Sequence, residues 1–407
     1  MYIFKAGVVG AGTMGGEIAQ IITYSGLPVV MKDIDQAMLD LGMEKIRSIY
    51  QTRVKKGKMS AGDMQAKLDL VTPTLTYDEF SDVDIVIEAV PERIGIKKTV
   101  FKELEKACPE QTIFASNTSA LSISEMGAAT GKPHKIIGMH FFNPAHVMKL
   151  VEVIPGLDTS QETIDDVVMF SESLRKIPVV VQECPGFLVN RLLLPYLNEA
   201  VMALEEGAAT ATEIDQAIVE WGMPMGPFTL MDMLGIDVCG DVGDYLYSEY
   251  GDRMTPAPLF TKLIEAGRFG EKTGNGFYDH PGGESDVVNQ MIKELQELGA
   301  VSTGTKFSVE RLMYPVINEA ALCVQEHIAS ITDIDMSMVA GTGMTYGGER
   351  IGPLAIADKI GLDVVVETLE TLAKELGPRF RPVRSLKLRV RAGHLGEKTG
   401  KGFHEYA

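Results

Sequence analysis

KAGVVGAGTMGGEIAQIITY, residues 5–24, decides the fold of the first part of this chain. Lys5 to Val9 is short and apolar, as a buried strand is. Met14, Ile18, Ile21 and Ile22 then recur at helical spacing up to Tyr24. Between them stand Gly10, Gly12 and Gly15. Gly10 permits a tight turn, Gly12 lets backbone approach a pyrophosphate, and Gly15 lets helix and strand pack closely. The helix start offers unpaired N–H groups and a positive dipole end to phosphate. A second strand-like run, Val29 to Met31, follows at the right distance and ends at Asp33. That carboxylate suits the hydroxyls of an adenosine ribose and repels a 2′-phosphate, so the expected cofactor is NAD rather than NADP.

Working outward, the alternation continues. Residues 36–70 are polar and helical in character. Asp84 to Val90, Thr112 to Ser116 and Ile136 to His140 read as buried strands. Apolar runs alternating with helices predict a parallel sheet covered on both faces, an α/β Rossmann-type dinucleotide-binding domain over 1–183.

Past residue 184 long amphipathic helical patterns take over, and they occur twice. Leu197-Asn-Glu-Ala200 returns as Ile317-Asn-Glu-Ala320, and Ile214-Asp215 returns as Ile334-Asp335. Gly226-Pro227 returns as Gly352-Pro353. GEKTGNGF at 270–277 returns at 396–403 with only Asn275 changed, to Lys401. The offset grows from 120 to 126, so the second copy carries a six-residue insertion in its middle. Two tandem all-α domains are expected, at 184–280 and 306–407, with 281–305 as linker.

Composition narrows the class. The 407 residues are 45% hydrophobic and 23% charged, ordinary for a globular chain. No apolar run approaches the roughly 20 residues of a membrane span. The start lacks the zones of a signal peptide, and a cytoplasmic protein is expected; the Met1 start argues against a section of a bifunctional polypeptide, which stays open as a further reading. A net charge of -18 argues against nucleic acid and anionic membrane as partners. The basic run Arg53, Lys55, Lys56 and Lys58 offers a local patch for an anionic ligand. So does the acid-free run Arg379 to Arg391, with six cations. Cys108, Cys184, Cys239 and Cys323 are far apart, giving neither a metal site nor a disulfide framework. Met223, Met225, Met231 and Met233 read as core filler, with an adaptable wall for an apolar ligand as the alternative.

Three further stretches carry chemistry: Ser116-Asn117-Thr118-Ser119, His140-Phe-Phe-Asn143-Pro144 with Lys149-Leu-Val-Glu152, and Pro185-Gly-Phe-Leu-Val-Asn190-Arg191. If the second is a hairpin, His140 and Glu152 face each other. A carboxylate beside an imidazole orients the ring and favours its taking a proton, as a base on an alcohol requires. Twelve residues of spacing do not separate this from a structural histidine.

Together the motifs resemble the L-3-hydroxyacyl-CoA dehydrogenase family over nearly the whole chain. The resemblance implies that His140 is the catalytic base and Glu152 its paired carboxylate. It implies that Ser119 hydrogen-bonds the substrate 3-oxygen, and that Asn190 binds substrate and arranges the histidine. Asn143 falls near the nicotinamide, Glu92 and Lys97 fall where cofactor is contacted, and Ser48 and Lys55 fall where CoA is contacted. The implied reaction is reversible NAD-dependent oxidation of an L-3-hydroxyacyl-CoA to the 3-ketoacyl-CoA, in β-oxidation or butanoate metabolism.

Many family members carry one helical copy and dimerise through it, whereas two-copy members belong mostly to enzymes fused to an enoyl-CoA hydratase. Here Glu310 replaces Asn190 in the second copy, which also lacks the PGF lead-in. That copy is expected to be structural, to replace a dimer partner and to leave the chain a monomer, with loose association with a hydratase or thiolase. His146 departs from the family's apolar residue or proline. Two rival readings stand beside this one: a CoA-independent hydroxyacid dehydrogenase of the same superfamily, and a catalytically silent partner that binds NAD or acyl-CoA. The basic run at 53–58 favours CoA, and the intact Ser119, His140, Glu152 and Asn190 favour catalysis.

Overall fold

The computed structural model describes residues 2–406. The chain divides into two compact units, 1–187 and 188–407.

In the first unit β1 (Ala6–Val9), α1 (Thr13–Tyr24) and β2 (Val29–Lys32) lead to α2 (Gln36–Lys55), α3 (Ala61–Leu68) and β3 (Val71–Thr74). Then come β4 (Ile85–Glu88), α4 (Ile94–Ala107), β5 (Ile113–Ser116), α5 (Ile123–Gly127) and β6 (Ile136–Phe141). The unit closes with β7 (Leu150–Pro155), α6 (Gln161–Ser173) and β8 (Ile177–Val180). The strands form one sheet in the order β3-β2-β1-β4-β5-β6-β7-β8. Every neighbouring pair is parallel except β6 and β7, which run antiparallel as the hairpin reading expects.

From β1 the chain winds outward one way, and from β4 it winds the other. Right-handed crossovers therefore lay helices on opposite faces, and the order reverses between β1 and β4. The carboxyl ends of those strands make the crevice where such sheets bind ligand. β1, β2, β4 and β5 are buried along their whole length, as strands covered on both faces must be.

Two strands escaped the sequence pattern. β3 and β8 are the edge strands, and each contains a proline, Pro73 and Pro178. Proline has no N–H for a ladder, so it demotes a run in a sequence reading yet is tolerated at an edge. The helical stretch 36–70 is two helices. Gly57, at φ +66°, turns the chain, and Ser60 with Asp63 forms a capping box that starts α3.

The second unit holds α7 (Val189–Glu205), α8 (Ala211–Trp221), α9 (Pro227–Leu234), α10 (Ile236–Tyr250) and α11 (Pro258–Glu265). After α12 (Asp286–Glu297) the series returns as α13 (Val309–Gln325), α14 (Ile331–Thr342), α15 (Pro353–Ile360), α16 (Leu362–Leu376) and α17 (Arg384–Arg391).

The repeated motifs are repeated joints. Asp215 accepts N–H bonds from Phe228 (2.9 Å) and Thr229 (3.0 Å), and Asp335 accepts them from Leu354 (2.7 Å) and Ala355 (3.0 Å). Asp232 and Asp358 hold the glycine-rich segments the same way, through Phe277 and Phe403 at 2.8 Å. A Cβ on Gly276 or Gly402 would fall about 2 Å from those carboxylates, which is why the motif keeps glycine.

Between the copies the pairing is reciprocal. Arg191 on α7 bonds Glu319 (2.7 Å) and Glu326 (2.6 Å) of the second copy. Arg311 on α13 bonds Glu199 (2.6 Å) and Glu206 (2.8 Å) of the first. This is the contact pattern of a two-fold interface, here within one chain. Residues 281–305 include α12, whose Gln296 donates to the Glu205 carbonyl at 2.8 Å and whose Glu294 pairs with Lys262 at 3.2 Å. The six-residue insertion folds over the first copy: Tyr346 packs on Trp221 at 5.3 Å, and the Thr345 N–H donates to the Gly222 carbonyl at 3.0 Å.

Candidate functional site

The glycine turn is shaped by close approach. Gly10 has φ +98°, and a Cβ there would lie 2.5 Å from the Ala89 carbonyl; one on Gly15 would lie 1.7 Å from the Gly10 carbonyl. Gly12 differs, since its Cβ would meet only Met38, at 3.8 Å. The protein itself does not demand glycine at position 12, and the room is there for a ligand. Gly12 also caps α1 without a side-chain bond, which leaves the first N–H groups of that helix for an anion.

Asp33 braces this turn. Its Oδ2 accepts the Ala11 N–H at 2.6 Å and its Oδ1 accepts the Ile34 N–H at 2.6 Å. Ionised carboxylate has further lone pairs to offer hydroxyls. Neighbouring Lys32 is buried over the Tyr77 ring, 4.4 Å from its centroid, and is not a free cation beside Asp33. These residues fit a dinucleotide with an unphosphorylated ribose.

His140 and Glu152 are a directly opposed pair in the β6–β7 ladder. His140 Nδ1 lies 2.7 Å from Glu152 Oε2, with His140 7% and Glu152 0% exposed. A carboxylate only accepts, so Nδ1 donates and Nε2 keeps its lone pair free to take a proton. The ring sits against Phe142 (4.5 Å) and Phe187 (6.0 Å). Phe187 is held at φ +50°, beside Gly186 at φ +74°. The PGF motif is thus the turn that lays an aromatic ring by the histidine, a role its sequence did not disclose.

The second cluster surrounds Glu92. Its Oε1 accepts the Ser119 N–H (2.9 Å), the Ser119 hydroxyl (3.3 Å) and the Thr118 hydroxyl (2.5 Å), and its Oε2 pairs with Lys97 at 3.1 Å. Burial alone raises this carboxyl, but the Lys97 ammonium and the Thr118 and Ser119 donors outweigh it and hold Glu92 below the usual range. Lys97 is itself buried, with Nζ at 2.8 Å from Glu88 Oε1. Glu88, fully buried in β4, also accepts from Ser116 at 2.6 Å and from the Val90 N–H at 2.8 Å. Sequence reasoning read Glu88 only as part of an apolar strand. It marked Asn117 within a chemical stretch but gave it no role; its Oδ1 accepts the Phe141 N–H at 2.9 Å and ties β6 beside His140.

Asn143 stands in the β6–β7 turn, and that turn is pinned from below. Glu17 of α1 is fully buried, accepts the Ala145 N–H, and lies 3.3 Å from His146 Nδ1 and 3.0 Å from Lys45. His146 is therefore tied to the cofactor helix. Lys176 donates to the Ala145 and Met148 carbonyls, and burial lowers its ammonium to about 8.

Ser48 and Lys55 lie exposed along α2, apart from both clusters in their contacts. Of the basic run, Arg53 is occupied by the Tyr24 hydroxyl at 2.6 Å, whereas Lys55, Lys56 and Lys58 are exposed. Asn190 opens α7 in the second unit. Among the methionines Met223 and Met231 are buried and Met233 is 47% exposed. No group of three metal-ligating side chains occurs among the described residues, and none of their helices is long and apolar enough to cross a membrane.

Comparison with known proteins agrees with this geometry. The family model described as 3-hydroxyacyl-CoA dehydrogenase, NAD binding domain, matches residues 5–184. The model for the C-terminal domain of that family matches twice, at 186–280 and 307–406. A fatty acid oxidation complex subunit alpha from Psychrobacter arcticus is 38% identical over 402 residues, 96% of this chain and 55% of that protein. The chain thus spans about half the length of the curated relatives it matches. Among solved structures, 3-hydroxybutyryl-CoA dehydrogenase from Escherichia coli superposes with a TM-score of 0.87 at 29% identity, covering 96% of this chain and 99% of that one. (S)-3-hydroxybutyryl-CoA dehydrogenase from Ralstonia eutropha is 41% identical, with a TM-score of 0.67, over 68% of this chain and 99% of its own.

Proposed function

The chain belongs to the 3-hydroxyacyl-CoA dehydrogenase family, and on that premise we propose that it interconverts an L-3-hydroxyacyl-CoA and the 3-ketoacyl-CoA. The observation that carries this reading is the His140–Glu152 pair, a buried imidazole with its outer nitrogen free.

In the oxidative direction His140 Nε2 takes the proton of the 3-hydroxyl. Glu152, already bonded to Nδ1, stabilises the imidazolium that results. Ser119 and Asn190 donate to the developing carbonyl oxygen. NAD, when bound, supplies the hydride acceptor for C3. The turn of Gly10, Gly12 and Gly15 with the start of α1 would hold its phosphates, and Asp33 its adenosine ribose. Asn143, Glu92 and Lys97 would border the nicotinamide side, with Lys97 acting through Glu92 and Glu88. Ser48 and Lys55, with the exposed Lys56 and Lys58, would receive the CoA phosphates.

The division of labour we propose is 1–183 for cofactor, 184–280 for substrate and 306–407 as a structural copy, with 281–305 joining them. The reciprocal Arg191–Glu319 and Arg311–Glu199 bonds support a second copy that fills the place of a dimer partner, and hence a monomer. The name carried by the curated relatives supports a place in fatty-acid oxidation, and loose association with a hydratase or thiolase is part of the proposal.

Replacing His140 by Gln tests the base. Turnover of acetoacetyl-CoA with NADH is expected to fall by about 10²–10⁴-fold, with NADH affinity by fluorescence unchanged. A variant that keeps native kcat would remove His140 from the mechanism.

A further inference from the structure

Within the second unit a cavity of about 210 Å³ lies between the two helical copies. One wall is α10, which presents Cys239, Gly240 and Gly243; Phe260 and Ile264 on α11 and Leu322 on α13 face the same space.

The internal duplication shows that the glycines of this wall belong to the first copy alone. α10 and α16 have equal length, and the residues of α16 that stand for Gly240 and Gly243 are Val366 and Leu369. Leu369 is fully buried, so the second copy fills the position with a core side chain. Packing does not demand glycine in the first. A Cβ on Gly243 meets nothing within 4 Å, and one on Gly240 meets only the movable end of Ile264, at 2.5 Å. Glycine inside a helix is unfavourable, and so is an unfilled apolar hollow. α10 carries both.

The charged groups at this space are balanced except at its edge. Glu199 is held by Arg311 and by Arg379 (2.8 Å), and Glu319 by Arg191 and by Arg253 (2.6 Å). Arg381 also lines the cavity. Its guanidinium is exposed and makes no ion pair or hydrogen bond among the described residues. Asp244, on α10, is the exposed acid of the lining.

We propose that this cavity binds an aliphatic chain of medium length ending in a carboxyl group, with the chain in the hollow over Gly240 and Gly243 and the carboxylate on Arg381. A saturated chain matches the apolar part of the lining, Leu246, Phe260, Ile264 and Leu322 with Gly240 and Gly243, and Arg381 is the cation left to pair with a head group. The aliphatic chain has two sources, a free fatty carboxylate, which also engages Arg381, or the acyl part of a thioester substrate, which has no free carboxylate and would occupy the hollow alone, and the two are separable.

The test is calorimetric titration of the full chain with octanoate and with octanol, on the native protein, Gly243→Leu and Arg381→Gln. Gly243→Leu reproduces Leu369 of the second copy and favours the helix, so its melting temperature should not fall. Native protein should bind both ligands. Gly243→Leu should weaken both at least tenfold, and Arg381→Gln should weaken octanoate about tenfold and leave octanol unchanged. Absence of binding to native protein, or undiminished binding to Gly243→Leu, would overturn the proposal. Kinetics with four- and eight-carbon 3-hydroxyacyl-CoA then assign the source, an arm that rests on the proposed reaction whereas the titration does not. A tenfold loss of kcat/KM for the longer substrate alone assigns the chain to the substrate. Lost octanoate binding with both turnovers unchanged assigns it to a free carboxylate.

Discussion

At the scale of single residues, the site is a set of carboxylates, each given a different task by its partners. Glu152 serves an imidazole, Glu88 a buried lysine, Glu92 the Ser119 turn, and Glu17 the turn after Asn143. Glu152→Gln should lower kcat with acetoacetyl-CoA by about 10²-fold or more, since an amide can donate to Nδ1 and leave the imidazole proton on Nε2, the wrong tautomer for a base. KM should change little, and steady-state kinetics will show whether the loss is in kcat. Glu17→Gln keeps the shape but removes the charge facing Lys45 and His146. It should cost about 1–3 kcal/mol of stability, read as a lower urea midpoint, and an unchanged midpoint would show that those bonds do not hold the turn. His140 and Glu152 were legible because a turn signal sits midway between two apolar runs. Phe187 was not, because its approach to His140 depends on left-handed backbone at 186–187, which no periodicity reports.

At the scale of elements, the glycine turn, β1, α1 and β2 followed from sequence since each has a local cause. β3 and β8 did not, because the sheet supplies the partner that their prolines appear to refuse. α7 carries a testable consequence of burial. Glu205, at its end, is 2% exposed, and its carboxyl is pushed up to about 7 by burial, aided by Glu206 and Glu199 and opposed by the Leu259 N–H. The folded state therefore holds this proton more tightly than the unfolded chain. Its stabilising contribution is fully present below about pH 4.5 and is lost as pH rises through about 7. Glu205→Gln keeps an acceptor for Leu259 and cannot ionise. It should be more stable than native protein at pH 8 by on the order of 3 kcal/mol and equal to it at pH 4. Denaturant midpoints at the two pH values decide this, and a pH-independent difference would contradict it.

At the scale of the whole molecule, one cofactor-binding unit is followed by an internal pseudo-dimer. The duplication was legible from repeated motifs. The reciprocity of its arginine–glutamate bonds was not, because those partners are 105 to 135 residues apart. Arg311→Ala strands Glu206 and leaves Glu199 to Arg379 alone at a buried boundary, and should cost about 3–5 kcal/mol, visible as a lowered melting temperature. Sedimentation should give a single species of 44.3 kDa; a stable dimer would mean that the second copy does not replace a partner subunit. The most direct test of the central claim is NADH oxidation by the full chain with acetoacetyl-CoA and, separately, with free acetoacetate. Rapid turnover of the thioester alone is the predicted result. Turnover of free acetoacetate at a similar rate would contradict it and make the protein a CoA-independent hydroxyacid dehydrogenase.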